Sequence, residues 1–132
     1  SKIIYLKDAP VKKFIIIDAA MNDLIRPALY GAKHQIYPLL KNNSIIKKNT
    51  EFVGPVCETG DTFANKRALT PVADGEMVAF RSAGAYGAVM ASEYNTRPLI
   101  PEVLVYGDQF SIIRDRPSIE SIIKRDIIPD WL

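Results

Sequence analysis

The chain has 132 residues, enough for one domain with its own core, and we expect residues 1–132 to form a single domain. Its hydrophobic content of 48% and charged content of 24% are close to the globular average and argue against a disordered chain. The net charge is +2, and the lysines are dispersed without an aromatic platform or a recognition helix, so a solvated surface is favoured over nucleic-acid binding.

The sequence shows no pattern typical of a membrane or secreted protein. No apolar run approaches the ~20 residues that a membrane-spanning helix needs, and the first residues lack the long apolar region of a signal peptide. The single cysteine, Cys57, cannot form an internal disulfide, so we expect a reducing, cytoplasmic setting. One cysteine, one histidine and dispersed acids also cannot assemble a usual metal site.

The beginning of the chain predicts a hairpin followed by a short helix. Residues 3–7 and 13–18 are β-rich runs on either side of a turn signal at residues 8–10. The second run is continuously apolar, which indicates a strand covered on both faces. Asp23 is a suitable cap for a short helix, and Pro27 fits only the first turn of that helix.

The rest of the chain is predicted to form short strands separated by turns. The strand candidates are residues 35–40, 45–48, 50–56, 76–82, 88–94, 102–106 and 109–114. Helical turns are predicted at residues 63–68 and 118–125, with breaks at residues 41–44, 70–75 and 83–87. Many short strands with few helices favour a mainly β fold, either a β-sandwich or a β-barrel.

The segment Gly54-Pro55-Val56-Cys57-Glu58-Thr59-Gly60-Asp61 places the thiol in a shaped loop at the end of a strand. A nucleophilic thiolate needs positive neighbours or a helix N-terminus, whereas the acidic neighbours here favour the neutral thiol. Cys57 therefore suits a proton donor better than a nucleophile. The alternative is that Cys57 is a small packed residue and Glu58 a solvated one, and the local sequence alone favours that alternative.

Arg26 and Tyr30 are four residues apart, so a helix places them on one face. A guanidinium fork with a nearby phenol is well suited to a carboxylate. An exposed arginine beside a packed tyrosine is the usual outcome for such a pair and stays open as the alternative.

Tyr86 lies in Gly84-Ala85-Tyr86-Gly87, a tight turn that can present a phenol to a phosphate oxygen or a ring. The segment lacks the residues of a P-loop, and an ordinary strand bulge is an equally good interpretation. His34 follows the predicted short helix, and we interpret it as a structural histidine with its hydrogen bonds satisfied.

Together, these segments resemble the C-terminal part of diaminopimelate decarboxylases, which belong to the alanine-racemase-like, fold type III group of pyridoxal-phosphate enzymes. The segments that carry the resemblance are residues 18–30, 54–61, 84–87, 94–98 and 102–105, in the order of that family. The resemblance covers essentially the whole chain. Thr59 stands where serine is commoner in the family, and the hydroxyl is kept.

The resemblance implies a Greek-key β-barrel or sandwich with a few short helices, as the C-terminal domain of a longer enzyme. The family's N-terminal TIM barrel carries the Schiff-base lysine and most contacts to the cofactor, pyridoxal 5'-phosphate. The resemblance further implies a cytoplasmic homodimer with shared active sites that converts meso-2,6-diaminopimelate to L-lysine. The chain alone is then expected to be inactive.

By the same resemblance, Arg26 and Tyr30 would bind a substrate carboxylate and Glu58 the distal ammonium group. Cys57 would protonate the carbon that loses CO₂, from the other subunit, and Tyr86 would contact cofactor phosphate and substrate. Two alternatives remain. One is a non-catalytic β domain for interaction or assembly, and the other is the same domain of an ornithine- or arginine-type decarboxylase, which has no distal carboxylate to bind.

Overall fold

The computed structural model of the chain describes residues 1–40, 46–69 and 72–131. Their contacts divide into two compact units, Ser1–Ala91 and Ser92–Leu132. The expectation of one domain over residues 1–132 stays a prediction. In the described ranges, no helix has the length and apolar character that crossing a bilayer requires.

The first unit contains a mixed four-stranded sheet and a smaller two-stranded one. Its elements are β1 (Ile3–Asp8), β2 (Lys13–Ile17), α1 (Arg26–Tyr30), β3 (Ile36–Pro38), β4 (Ile46–Val53), β5 (Thr62–Leu69), β6 (Val78–Phe80) and α2 (Gly87–Met90). The strand order is β1-β2-β4-β5 in the larger sheet and β3-β6 in the smaller one. α1 and β3 lie on the connection from β2 to β4, which run parallel.

The predicted hairpin at the start of the chain is confirmed. β1 and β2 pair antiparallel from Ile3 opposite Ile17 to Asp8 opposite Lys13. β2 is an inner strand, because β1 and β4 pair with its two edges. Residues 14–17 of β2 are all buried or half-buried, which agrees with the continuous apolar run in this part of the strand.

The core of the first unit lies where the strands meet the segment that leads into α1. Its buried members are Ile3, Ile15, Ile17, Leu24, Ile36, Phe52, Phe63, Ala64 and Val78. The rings of Phe63 and Phe80 lie 5.1 Å apart between centroids, with a tilt of 56°. This ring contact joins the two sheets, because Phe63 belongs to β5 and Phe80 to β6.

Two predicted elements have the wrong type. Residues 63–68 form part of strand β5 and not a helical turn, since pairing with β4 and burial of Phe63 and Ala64 outweigh the helix propensity of the run. Residues 88–94 do not form a strand. Residues 88–90 lie in α2, residues 91–93 form an irregular connection, and Tyr94 begins the 3-10 turn Tyr94–Thr96. Among the described strands none pairs with these residues.

The predicted cap at Asp23 is also wrong. The helix begins later, at Arg26, and its N-cap residue Ile25 makes no side-chain capping bond. The Asp23 carboxylate instead accepts a hydrogen bond from the Ala20 amide at 2.9 Å, which closes the bend before the helix. Pro27 lies in the first turn, as predicted.

Other boundaries are adjusted. The two strands predicted at 45–48 and 50–56 are one strand, β4, while β3 and β6 are shorter than predicted. The predicted turn at 70–75 is present at Asp74 and Gly75, whereas the break at 41–44 and residues 70 and 71 fall outside the described residues.

The second unit contains a hairpin and a helix, both as predicted. β7 (Glu102–Tyr106) and β8 (Gln109–Arg114) pair antiparallel, and α3 spans Ile119–Ile123. Gly107 adopts a positive φ of 62° in the hairpin turn, a conformation that glycine adopts at low cost. The Ser118 hydroxyl caps α3 by accepting a hydrogen bond from the Ser121 amide at 3.1 Å.

The mainly β class with a few short helices is therefore confirmed. The sheets formed by the described residues stay open, so a closed barrel or a sandwich is not confirmed.

Candidate functional site

α1 is a single helical turn that holds Arg26 and Tyr30. Pro27 pre-sets the backbone of its first turn, and Gly31 ends the helix in the left-handed conformation at φ 63°. The Gly31 amide donates a hydrogen bond to the Pro27 carbonyl at 3.0 Å. Tyr30 is 62% exposed, and Arg26 is half-buried, so both side chains are open to a ligand.

Tyr86 lies directly before α2, far from α1 in the sequence but beside it in space. The buried Gly87 packs against Leu24, since a Cβ on Gly87 would lie 3.5 Å from Leu24 Cδ1. Leu24 in turn stands two residues before the start of α1. This packing brings the turn that carries Tyr86 against the entrance of α1, while the Tyr86 ring itself remains 65% exposed.

The Arg26 guanidinium contacts both phenol rings. Its central carbon lies 5.7 Å from the centroid of the Tyr30 ring and 5.4 Å from that of Tyr86. Both distances fall within the range of cation–π contacts. The structure therefore brings together three of the five residues that the sequence singled out, and we refer to Arg26, Tyr30 and Tyr86 as the Arg–Tyr cluster.

The segment from Gly54 to Asp61, here called the cysteine loop, follows β4 and returns to β5. Its ends are joined because the Gly54 amide donates to the Asp61 carbonyl at 2.9 Å. Inside the loop, the Glu58 amide donates to the Val56 carbonyl at 2.8 Å, and the Asp61 amide donates to the Glu58 carbonyl at 3.0 Å. These bonds place Cys57 and Glu58 at the exposed tip.

Asp61 is a residue whose role the sequence interpretation missed. It is 3% exposed, and its carboxylate accepts hydrogen bonds from the amides of Val56 and Met21, each at 2.7 Å. The local acidity of the loop suggested an acid beside the thiol, whereas the structure turns this carboxylate inward. No local pattern shows this inward turn, because Met21 is distant in the sequence; Gly54 leaves room for it, since a Cβ there would lie 2.3 Å from both Asp61 carboxylate oxygens.

The described contacts do not join the tip of the cysteine loop to the Arg–Tyr cluster. No hydrogen bond, ion pair or ring contact within the described part of the chain links Cys57 or Glu58 to the cluster. The backbone behind the tip is closer to α1, because a Cβ on Gly60 would lie 3.5 Å from Ala28. The loop and the helix thus pack together, while their candidate functional side chains make no described contact with each other.

His34 is placed as a structural residue. It is 6% exposed, and its Nδ1 lies 3.2 Å from the Arg81 carbonyl oxygen. This position fits the interpretation of a structural histidine.

The two groups of side chains suit different chemistry. A guanidinium flanked by two phenol groups provides one charged fork and two further hydroxyls for an anion such as a carboxylate or a phosphate. An exposed thiol beside an exposed carboxylate provides a proton donor and a partner for a cation. The Arg–Tyr cluster can bind an anionic group, and the loop tip can bind a cationic group and donate a proton. Each of them thus provides only some of the groups that would bind one amino-acid substrate and transfer a proton to it.

Comparisons with known proteins identify relatives over the whole chain. Residues 1–84 match the family described as "Pyridoxal-dependent decarboxylase, C-terminal sheet domain". Diaminopimelate decarboxylase from Zymomonas mobilis is 46% identical over 132 residues, which is 100% of this chain and 31% of that protein. The chain therefore spans about a third of the length of this curated relative.

Solved structures give the same result. A crystal structure of diaminopimelate decarboxylase from M. jannaschii with L-lysine is 37% identical, with a TM-score of 0.91, over 99% of this chain and 30% of that one. Lysine/ornithine decarboxylase from Vibrio vulnificus, complexed with cadaverine, is 18% identical, with a TM-score of 0.61, over 71% of this chain and 26% of that one. The second likeness shows a shared fold alone.

Proposed function

Because the chain belongs to the pyridoxal-dependent decarboxylases, as their C-terminal sheet domain, we propose that it supplies half of a decarboxylase active site. The reaction is the conversion of meso-2,6-diaminopimelate to L-lysine and CO₂, a lyase step of lysine biosynthesis in the cytoplasm. Support comes from the relatives that are diaminopimelate decarboxylases, one of them solved with L-lysine. The rest of the protein, with a barrel domain, completes the site.

The Arg–Tyr cluster carries this proposal. Arg26 lies between two exposed phenol rings, so its fork can pair with a carboxylate while the tyrosine hydroxyls donate further hydrogen bonds. Diaminopimelate has a distal carboxylate that ornithine and arginine lack. A charged pair with that carboxylate therefore discriminates between the proposed substrate and the substrates of the neighbouring decarboxylases.

The same cluster fits pyridoxal 5'-phosphate. Tyr86 presents an exposed phenol, and the adjacent guanidinium makes this place favourable for an anionic phosphate. Tyr86 would hold the cofactor phosphate, and the barrel domain would hold the remainder. When bound, the cofactor supplies an electron sink for the bond that breaks.

The tip of the cysteine loop supplies the remaining groups of this chain. Glu58 pairs with the distal ammonium group of the substrate, because its exposed carboxylate is available to a cation. The Cys57 Sγ donates a proton to the carbon from which CO₂ leaves, and a thiol suits this role when it stays neutral until that step. Its exposure makes it accessible to a substrate bound elsewhere.

A homodimer with shared active sites accounts for the separation of the two groups. Cys57 and Glu58 make no described contact with the Arg–Tyr cluster, and the loop tip is exposed. We propose that each loop tip enters the active site of the partner subunit, so that one complete site combines the cluster of one chain with the loop of the other.

The deciding experiment measures decarboxylation by the full-length protein with pyridoxal phosphate. The substrates are meso-diaminopimelate, ornithine and arginine, and the products are quantified by chromatography. We expect lysine from diaminopimelate and no comparable turnover of the other two. Preferential turnover of ornithine or arginine would replace this proposal with the neighbouring activity. No turnover of any of the three would leave the non-catalytic interaction domain.

A further inference from the structure

We propose that Asp61 is a positioning residue that ties the cysteine loop to the backbone leading into α1. The inference rests on the proposed function for its catalytic consequence, but its structural part stands on the contacts of one carboxylate. Asp61 itself touches no substrate in this account. It acts by fixing the loop that carries Cys57 and Glu58 on the body of its own subunit, from which the loop tip reaches the partner's site.

The Asp61 carboxylate is hydrogen-bonded to two separate segments of the chain. One oxygen of Asp61 accepts from the Val56 amide at 2.7 Å, and the other accepts from the Met21 amide at 2.7 Å. Val56 directly precedes Cys57, and Met21 belongs to the bend that leads to α1. A single side chain therefore holds two segments that are distant in the sequence and carry the two groups of candidate functional residues.

The Asp61 carboxylate is buried. Asp61 is 3% exposed, so water does not compete for its carboxylate oxygens. A buried carboxylate is costly unless its oxygens are occupied, and bonds to charged acceptors are stronger than neutral ones. Loss of either amide hydrogen bond would therefore destabilise the buried carboxylate.

Gly54 has no side chain where the loop closes over the Asp61 carboxylate. A Cβ on Gly54 would lie 2.3 Å from both carboxylate oxygens, so any larger residue would displace Asp61. A Cβ on Gly60 would lie 3.4 Å from Met21 Cε and 3.5 Å from Ala28 Cβ. Gly54 thus allows the close approach that the carboxylate bonds need, whereas the distances at Gly60 are those of ordinary van der Waals contact.

Two substitutions test this tie in different ways. Asp61→Asn keeps the shape but has only one acceptor oxygen for two amides, and its NH₂ group faces a donor. Gly54→Ala keeps the carboxylate but pushes it from its position. Asp74→Asn is the matched control, because it makes the same charge change at an exposed turn in the same unit.

The first readout is hydrogen exchange of the full-length holoenzyme, followed by mass spectrometry. We expect each variant, Asp61→Asn and Gly54→Ala, to raise the exchange rate by about 10-fold or more both in the peptide that contains Met21 and in the peptide that contains Val56. The peptide that covers β2, at the centre of the sheet, should not change. A uniform rise in all peptides would show a general loss of stability. A rise in only one of the two segments would show that one carboxylate does not hold them together. Either result would overturn the tie.

The second readout separates positioning from stability. We expect Asp61→Asn to lower kcat for diaminopimelate by about 10-fold or more, while cofactor affinity stays within about twofold of the parent. The Asp74→Asn control should match the parent in both. If exchange rises as expected but kcat is unchanged, the positioning role is overturned although the tie exists. If the parent protein does not decarboxylate diaminopimelate, the proposed function fails, and the exchange data still decide the tie.

Discussion

The guanidinium carbon of Arg26 lies 5.4 Å from the centroid of the Tyr86 ring, so the first turn of α1 meets the turn that precedes α2. The packing of Gly87 against Leu24 underlies this contact. Since the Tyr86 ring is exposed, the contact is not a core interaction. It leaves the guanidinium of half-buried Arg26 beside an exposed phenol, an arrangement that suits an anion.

Replacement of Arg26 tests the carboxylate assignment. In the full-length enzyme, Arg26→Ala should lower kcat/KM for diaminopimelate by about 10²-fold, which corresponds to roughly 3 kcal/mol for a lost charged hydrogen-bond pair. Arg26→Lys should recover only part of the loss, because an ammonium keeps the charge without the bidentate fork. Steady-state kinetics with all three proteins measure both effects.

A matched control exists for this replacement. Arg81 lies 6.0 Å from the centroid of the Tyr37 ring, so it forms a similar arginine–tyrosine contact in another part of the first unit. Arg81→Ala should leave kcat/KM close to the parent value. Equal losses in Arg26→Ala and Arg81→Ala would mean that removal of any such contact impairs the enzyme, and the specificity argument would be lost.

Replacement of Tyr86 by phenylalanine separates the hydroxyl from the ring. Tyr86→Phe keeps the ring beside Arg26 and removes one donor, so cofactor binding should weaken by about 10- to 100-fold, the value of one hydrogen bond to a charged group. Titration of the apoprotein with pyridoxal phosphate, followed by absorbance, gives the dissociation constant. An unchanged constant would remove Tyr86 from the phosphate site.

Cys57 is the only cysteine among residues 1–132, and its exposure permits a chemical test of the proton donor. In the full-length enzyme, alkylation of Cys57 with iodoacetamide, mapped by mass spectrometry, should abolish turnover, because the modification removes the thiol proton, and Cys57→Ser should show whether any remaining loss comes from other thiols. Cys57→Ala should lower kcat by about 10²- to 10⁴-fold, the usual contribution of a general acid, with a smaller change in KM. Full activity after complete alkylation, verified by mass spectrometry, would show that another group donates the proton.

The residue types of the candidate site could be predicted from the sequence, but its internal arrangement could not. The four-residue spacing of Arg26 and Tyr30 predicted a shared helix face, and the structure places both side chains within contact distance. The position of Tyr86 depends on a glycine packing against Leu24, a tertiary contact that no local pattern shows. Likewise, the inward turn of Asp61 depends on the distant Met21 amide.

The fold shows the same division between local and tertiary causes. The hairpin of β7 and β8 was predictable because its turn chemistry and β-rich runs are adjacent in the sequence. Strand β5 was mistaken for a helical turn because its alanines and lysine suit a helix, and only the edge of β4 decides otherwise. The Asp23 cap failed for a related reason, since its carboxylate is engaged by Ala20.

The core makes a separate prediction about stability. Phe52 lies in β4 with 1% exposure, so Phe52→Ala should lower the free energy of unfolding by about 3–5 kcal/mol. Val11, in the turn between β1 and β2, is 82% exposed, and Val11→Ala should change the value by less than about 0.5 kcal/mol. Urea unfolding of the full-length protein, monitored by circular dichroism, compares the two. Similar losses in both variants would place Phe52 outside the stabilising core.

Asp18 connects pH to stability at the start of the sheet. Partial burial raises the pKa of its carboxyl, but hydrogen bonds from the Ser1 hydroxyl and the Lys2 amide outweigh burial and leave that pKa below its ordinary value of 3.8. The folded state therefore stabilises the charged Asp18 carboxylate more than the unfolded state does. A carboxylate of this kind stabilises the fold above its ordinary pKa, and the contribution disappears as the pH falls through the lowered, folded value.

Asp18→Asn should consequently be less stable than the parent protein at pH 7, by less than about 1 kcal/mol, because the carboxylate is exposed and its interactions are screened by solvent. The difference should remain constant down to about pH 5 and shrink below the ordinary carboxyl pKa. Urea unfolding of both proteins across this pH range measures the difference directly. Asp8→Asn, an exposed carboxylate at the end of β1, serves as the control. A stability difference between parent and Asp18→Asn that grows as the pH falls would contradict the lowered pKa. It would mean that the folded state stabilises the protonated carboxyl more than the charged one.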